Sequence, residues 1–134
     1  MLGTFPALEK PLMLGSILIV DDSAFTRRAL IRDLPEGLIA QVVEAGDGLE
    51  ALEAFGRVEP RLLFLDVVMP RMGGIEVLEA LQGRQHNTRV VLVTSERDPD
   101  IEGRAKALGA HIVLHKPWDR ADITRVVGEA GLVR

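Results

Sequence analysis

The chain has 134 residues, of which 47% are hydrophobic and 27% charged, values typical of one globular domain rather than a disordered or fibrous protein. Its net charge of −4, without a basic block, argues against direct binding of nucleic acid, because phosphate contacts need clustered lysine and arginine. The absence of cysteine excludes disulfides and thiolate sites and suits a reducing compartment, so we expect a cytoplasmic protein. No apolar run approaches the roughly 20 residues that cross a membrane.

The N-terminal residues 1–15 are predicted to form a tail before a single domain at residues 16–134. The tail is rich in leucine, but Pro6 and Pro11 interrupt it and Glu9 places a charge in its middle. A secretion signal needs a basic start followed by an unbroken apolar stretch. The tail therefore does not resemble such a signal, and we expect no membrane association from it.

Five short apolar runs are spaced along the chain, and each is bounded by turn-forming or acidic residues. Their apolar residues are nearly continuous rather than alternating, which is typical of strands buried on both faces of a parallel sheet. The runs lie at residues 17–20, 41–44, 62–65, 90–93 and 112–114.

A segment with apolar residues at helical spacing follows each run. The first contains Phe25, Leu30 and Leu34, behind a cap at Ser23 or Asp22. Strict alternation of strand and helix predicts the α/β class, with a (βα)5 doubly wound parallel sheet. The later stripes are Leu49, Leu52 and Phe55, ending at Gly56; Ile75, Val77, Leu78 and Leu81; Ile101, Ala105 and Leu108, starting at Pro99; and Ile123, Val126 and Val127.

Polar residues follow four of the five runs. Asp21 and Asp22 follow the first, Asp66 the third, Thr94 the fourth, and Lys116 lies just after the fifth. Sites of open α/β sheets lie beyond the carboxyl ends of the strands, so we expect these side chains at one edge. Each alone has an ordinary explanation as a helix cap, a strand residue or a solvated lysine. Their joint occurrence at the carboxyl ends favours a functional site.

Three carboxylates held close together would repel one another by about 3 kcal/mol per pair at an effective dielectric constant near 20. Either raised pKa values keep some of them protonated, or a cation binds among them. Mg²⁺ prefers oxygen ligands, and together with Lys116 it would balance the three negative charges. Its remaining positions can bind phosphate oxygens, which would equip a neighbouring Asp to accept a phosphoryl group.

Together, these features resemble the receiver domain of two-component response regulators. The resemblance covers about residues 16–131 and implies the flavodoxin-like strand order 2-1-3-4-5. It is carried, in chain order, by the pair Asp21-Asp22, the stretch LDVVMPRMGG at residues 65–74, Thr94, Gly109-Ala110 and Lys116-Pro117.

The resemblance also implies the chemistry of the site. Asp66 would accept a phosphoryl group from a sensor histidine kinase or a phosphotransfer protein. Asp22, Asp66 and the main-chain carbonyl of Val68 would bind Mg²⁺ directly, and Asp21 would bind it through water.

In the implied switch, Thr94 would move to hydrogen-bond the phosphoryl group and Lys116 would pair with it. The family often has Tyr or Phe at the position of Val113, whose ring turns inward when the threonine moves. Val113 has no ring, so the aromatic half of this switch is not assigned here. We expect the fourth helix, fifth strand and fifth helix, with Trp118, to control a downstream protein or a fused output domain.

Two other functions stay open. A phosphatase of the haloacid dehalogenase type would carry a second Asp two positions after its nucleophile, where this chain has Val68. A degenerate receiver would bind proteins without being phosphorylated. Apart from its own phosphorylation and dephosphorylation, we expect no enzymatic activity. The chain ends shortly after Gly131, so we expect either a stand-alone regulator or a receiver taken from a longer protein.

Overall fold

The protein forms one five-stranded parallel sheet with strand order β2-β1-β3-β4-β5, as described by a computed structural model for residues 13–134. The strands are β1 (Ser16–Val20), β2 (Gln41–Ala45), β3 (Leu62–Leu65), β4 (Arg89–Thr94) and β5 (Ile112–His115). A helix follows each strand in turn: α1 (Ala24–Arg32), α2 (Gly48–Val58), α3 (Gly74–Leu81), α4 (Pro99–Ala107) and α5 (Arg120–Glu129). The predicted (βα)5 α/β architecture and its strand order are confirmed.

Residues 1–12 of the predicted tail lie outside the described residues, so the division at residue 16 stays a prediction. The backbone N–H of Leu14 already donates a 2.8 Å hydrogen bond to the carbonyl of Ile39. The chain therefore contacts the folded domain two positions before β1. Within residues 13–134, no helix has both the length and the apolar character needed to span a bilayer.

The central strands are buried on both faces, as their continuous apolar runs predict. Alternate residues of β1 face opposite layers: Leu18 packs towards α2, α3 and α4, whereas Ile19 packs towards α1 and α5. Each fully buried Leu, Ile or Val side chain contributes about 1.5–3 kcal/mol. The two apolar layers therefore hold the sheet rigid, and the carboxyl ends of all five strands lie at one edge.

Two predicted apolar stripes are wrong at their first residue. Phe25 is 75% exposed and Leu49 is 47% exposed. Each lies in the first turn of its helix, which begins at the carboxyl edge of the sheet and projects beyond the packed layer. The buried face of α1 instead uses Leu30, and that of α2 uses Ala51 and Phe55.

Side chains cap the starts of α1, α2 and α4, whereas Gly73 and Asp119, which precede α3 and α5, make no side-chain capping bond. Ser23 caps α1 by accepting a 3.2 Å hydrogen bond from the N–H of Thr26, which decides between the two predicted caps. The predicted end of α2 at Gly56 is wrong, because the helix continues to Val58. Glu59 ends it in the left-handed conformation, with φ of 45°.

Candidate functional site

Three carboxylates from two neighbouring strands meet at the carboxyl edge of the sheet. Asp21 and Asp22 follow β1, and Asp66 follows β3, which pairs with β1. One ligand oxygen from each lies within 4.8 Å of the others. Asp21 and Asp66 are buried, whereas Asp22 is exposed. The predicted acidic cluster is therefore assembled by the fold, and its oxygen donors suit a hard divalent cation such as Mg²⁺.

The ammonium of Lys116 reaches this cluster from the end of β5. Its Nζ donates hydrogen bonds to Oδ2 of Asp21 at 2.7 Å and to Oδ2 of Asp66 at 3.2 Å. The backbone N–H of Lys116 donates to the carbonyl of Thr94 at 2.8 Å, and the peptide bond to Pro117 is cis. The hydrogen bond to Thr94 holds this strand end beside β4, and the lysine side chain turns towards the carboxylates.

Burial and the neighbouring opposite charges act in opposite directions on the pKa values of Asp66 and Lys116. The pKa of Asp66 is raised, chiefly by burial and further by the charge of Asp21, although Lys116 and the N–H of Val67 oppose the shift. Burial acts to lower the pKa of Lys116, but its hydrogen bond to Asp21 and the charge of Asp66 outweigh this and raise it. The lysine is therefore a permanent positive charge beside a carboxylate that is costly to ionise.

Thr94 and Val68, the other two predicted site residues, lie at the same edge. Thr94 ends β4 and is 1% exposed, and its Oγ1 accepts a 2.9 Å hydrogen bond from the N–H of Glu96. Its hydroxyl hydrogen stays free to donate elsewhere. Val68 lies in the loop between β3 and α3 with its side chain exposed. The roles assigned to both residues stay predictions.

Arg27 supports the acidic pair and was missed by sequence reasoning. Its Nη1 donates a 2.6 Å hydrogen bond to the carbonyl of Asp21, and its Nε donates to Glu44 at 2.8 Å. The carboxylate of Asp21 also accepts a 2.9 Å bond from the N–H of Ser23. No local pattern shows the contact to Glu44, since it depends on α1 lying beside β2.

Glycine is required where α3 begins. A Cβ on Gly74 would lie 2.2 Å from the carbonyl oxygen of Asp66, and one on Gly73 would lie 2.7 Å from that of Val67. The N–H of Gly74 donates to the Val67 carbonyl at 2.8 Å. The start of α3 can therefore pack directly against the backbone of the residue that carries the buried carboxylate.

Comparison with known proteins agrees with this geometry. The family model described as the response regulator receiver domain matches residues 17–128. The chain belongs to this family. The receiver domain is the signal-accepting module of two-component systems, so the chain is a two-component signalling protein.

Two curated relatives illustrate the range of proteins in which similar receiver domains occur. Sporulation initiation phosphotransferase F of Bacillus subtilis is 34% identical over 116 residues, which cover 87% of this chain and 93% of that protein. Regulator of RpoS of Escherichia coli is 36% identical over 110 residues, covering 82% of this chain but only 32% of that protein. This receiver chain thus spans about a third of the length of the first curated relatives it matches.

Solved receiver structures are similar in fold. The signal receiver domain of the putative response regulator NarL from Mycobacterium tuberculosis has a TM-score of 0.80 and 32% identity, covering 90% of this chain and 98% of that one. The chemotaxis protein CheY4 of Vibrio cholerae has a TM-score of 0.76 and 28% identity, covering 87% and 98% of the two chains.

Proposed function

We propose that this receiver domain accepts a phosphoryl group on Asp66 in a Mg²⁺-dependent reaction. The observation that carries the proposal is the meeting of three carboxylates within 4.8 Å, with Lys116 bonded to two of them. The donor would be a sensor histidine kinase or a phosphotransfer protein. A relative that covers most of the chain is named a phosphotransferase, which supports a place in phosphoryl transfer.

The proposed Mg²⁺ ligands are Asp22, Asp66 and the main-chain carbonyl of Val68, with Asp21 binding through water. When bound, the ion would offset the charge of the carboxylates and of the incoming phosphoryl oxygens. The donor set fits, since carboxylate and carbonyl oxygens are the ligands that Mg²⁺ prefers.

Asp66 supplies the nucleophile of the proposed reaction. Its Oδ atom forms a bond to phosphorus while the bond between phosphorus and the donor's imidazole nitrogen breaks, and the imidazole leaves with that electron pair. Only the ionised carboxylate can attack. The positive charge of Lys116 opposes the rise in the pKa of Asp66 that burial causes, and so favours the reactive form.

Lys116 and Thr94 would contact the newly added phosphoryl group. The ammonium offers charge-assisted hydrogen bonds to its oxygens, and the Thr94 hydroxyl offers one more. Movement of Thr94 would alter the face formed by α4, β5 and α5, to which a downstream protein or a fused output domain would respond. Val113 cannot contribute a ring to this switch, so the loop after Thr94 and α4 would carry it.

The domain would work in the cytoplasm, without turnover of a foreign substrate. Some relatives are named protein-glutamate methylesterases, but the match to one from Myxococcus xanthus covers only 30% of that protein. Their activity is therefore not carried over to this chain.

The test is intact-protein mass spectrometry after incubation with acetyl phosphate and Mg²⁺. Wild type should gain one phosphoryl mass, and chelation of Mg²⁺ should prevent the gain. Asp66→Asn should gain none, whereas Asp119→Asn, a change at an exposed aspartate without a side-chain capping bond, should behave like wild type. Equal labelling of wild type and Asp66→Asn would refute the assignment.

The alternative is a degenerate receiver that binds proteins independently of phosphorylation. Beryllofluoride mimics a phosphoryl group on an aspartate only where the acceptor and the metal site are intact. Saturable, Mg²⁺-dependent binding of beryllofluoride to wild type would support phosphorylation. Its absence, together with no gain of mass from acetyl phosphate, would favour the degenerate receiver.

A further inference from the structure

An ion pair fastens the loop between β3 and α3 to the start of α2. Arg71 donates from Nε to Oδ2 of Asp47 at 2.8 Å, and its Nη2 contacts the same oxygen. Asp47 is buried, and its other oxygen, Oδ1, accepts a 2.9 Å hydrogen bond from the N–H of Glu50 as the cap of α2. One carboxylate oxygen of Asp47 therefore caps α2, and the other binds Arg71 of the loop.

The backbone of Arg71 adopts an uncommon conformation next to this contact. Its φ is 66°, in the left-handed region that residues other than glycine seldom occupy. Such conformations persist where the surrounding structure over-determines them, and they are often found at functional sites. The pKa of Asp47 is lowered by the N–H of Glu50 and then by the guanidinium of Arg71, which agrees with a charged pair.

A second contact next to the ion pair holds the same two segments. The N–H of Gly48 donates a 3.0 Å hydrogen bond to the carbonyl of Met72. A Cβ on Gly48 would lie 2.5 Å from that oxygen, so the backbones approach as closely as glycine permits. Arg71 and Met72 are thus anchored together to the start of α2.

The anchored residues lie on one side of Val68, and a separate anchor lies on the other. The N–H of Val67 donates to Oδ1 of Asp66 at 2.8 Å, and its carbonyl accepts from Gly74. Within residues 13–134, the only backbone hydrogen bond of segment 68–70 is the one that the Pro70 carbonyl accepts from Met72. The direction of the Val68 carbonyl therefore depends on the anchors at both ends of this segment.

We propose that the ion pair between Arg71 and Asp47 positions the loop that carries Val68, and that it thereby sets the affinity of the acidic site for Mg²⁺. Arg71 and Asp47 are positioning residues, because they act on the metal through the Val68 carbonyl rather than by contact with it. This inference rests on the proposed function, in which that carbonyl is a ligand.

Two single substitutions separate the ion pair from the helix cap and from backbone strain. Asp47→Asn keeps a carbonyl oxygen to accept from Glu50 and replaces the oxygen that binds Arg71 with an NH₂ group. Arg71→Asn removes the guanidinium but tolerates the left-handed backbone better than most residues. Asp98→Asn is the matched control, since Asp98 caps α4 with the same type of bond, to Asp100.

The measurement is the dissociation constant for Mg²⁺ alone, by isothermal titration calorimetry of the full chain, with circular dichroism to verify folding. Loss of a residue that orients a metal ligand typically weakens binding by about tenfold or more, and we expect about tenfold for each single variant. The double variant should bind no more weakly than either single variant, because both remove one interaction. Arg71→Lys, which keeps the charge but not the paired donors, should recover part of the affinity.

The outcomes distinguish this inference from the proposed function. Mg²⁺ affinities of the Asp47 and Arg71 variants equal to those of wild type and Asp98→Asn would refute the inference and leave the proposed function intact. Additive losses in the double variant would also refute it. A wild-type protein that binds no Mg²⁺ and takes no phosphoryl group would overturn both.

Discussion

The ammonium of Lys116 donates a 2.7 Å hydrogen bond to Asp21, shorter than its 3.2 Å bond to Asp66. The lysine therefore stabilises the residue that is proposed to bind the metal through water as well as the proposed acceptor. Before any phosphoryl group is present, its charge already compensates two buried carboxylates. The same side chain thus has a role in stability as well as its proposed role in catalysis.

Lys116→Met should lower the free energy of unfolding at pH 7 in the absence of Mg²⁺ by roughly 2 kcal/mol. This is less than the 3–5 kcal/mol typical of breaking a fully buried pair, because the Lys116 side chain is 23% exposed. Saturating Mg²⁺ should recover part of the loss by supplying another cation. Urea unfolding measures both values, with the exposed Lys106→Met as a control that should change little. A Lys116→Met protein as stable as wild type would show that the two ion pairs contribute nothing.

Asp66→Asn should raise the free energy of unfolding when Mg²⁺ is absent. Burial raises the pKa of Asp66, so the folded state holds its proton more tightly than the unfolded state does. Stability from this residue is present at low pH and is lost as the pH rises from the ordinary value near 4 through the raised value in the folded protein. The advantage of the Asn variant should therefore grow over that range and then stay constant.

A second measurement on Asp66 uses added Mg²⁺. The ion should stabilise wild type in proportion to the logarithm of its concentration above the dissociation constant. It should stabilise Asp66→Asn far less, because one charged ligand is missing. Denaturant midpoints across a pH and Mg²⁺ series measure both effects, and an equal response of the two proteins to Mg²⁺ would contradict the assigned ligand set.

Trp118→Phe should destabilise the protein by about 1 kcal/mol at pH 7. The indole Nε1 donates a 2.9 Å hydrogen bond to Asp33, which ends α1 and also accepts from Arg120. The pKa of Asp33 is lowered by the bond from Trp118 first and by Arg120 next. Because a lowered carboxyl pKa stabilises the folded state above its ordinary value, the difference between wild type and Trp118→Phe should shrink as the pH falls below about 4.

Arg125→Gln is the control for the tryptophan. Its ion pairs to Asp122 and Glu129 are exposed, so its loss should cost less than about 0.5 kcal/mol. Thermal or urea unfolding at several pH values measures the stability of wild type, Trp118→Phe and Arg125→Gln. A Trp118→Phe deficit that stays constant down to pH 3 would show that lost packing, rather than the bond to Asp33, causes it.

Two glycine substitutions should act in opposite directions. Gly48→Ala places a Cβ 2.5 Å from the carbonyl oxygen of Met72, so the loop must move and stability should fall by roughly 1–3 kcal/mol. Gly103→Ala, in the exposed middle of α4 with no atom within 4 Å of its Cβ, should raise stability by about 1 kcal/mol. Equal effects of the two changes on unfolding would contradict the close approach of α2 to the loop.

The sequence predicts the sheet well because buried parallel strands consist of nearly continuous apolar residues. The run at residues 62–65 coincides with β3, and the others lie within one residue of the strand ends. The site follows from the same pattern, since the carboxyl ends of parallel strands share one edge. Neither the exposure of Phe25 nor the ion pair between Arg71 and Asp47 follows from local pattern. The exposure of Phe25 depends on where the first turn of α1 lies relative to the sheet. The ion pair depends on the loop between β3 and α3 lying beside the start of α2.

Trp118 is the only tryptophan in a chain that contains no tyrosine. It lies two residues after Lys116, and its indole is held by a hydrogen bond to Asp33. Its emission would consequently come from one environment, without a background from tyrosine. The protein thus carries a native optical reporter close to its reactive edge, and stopped-flow fluorescence could follow ion binding and phosphoryl turnover without any attached dye.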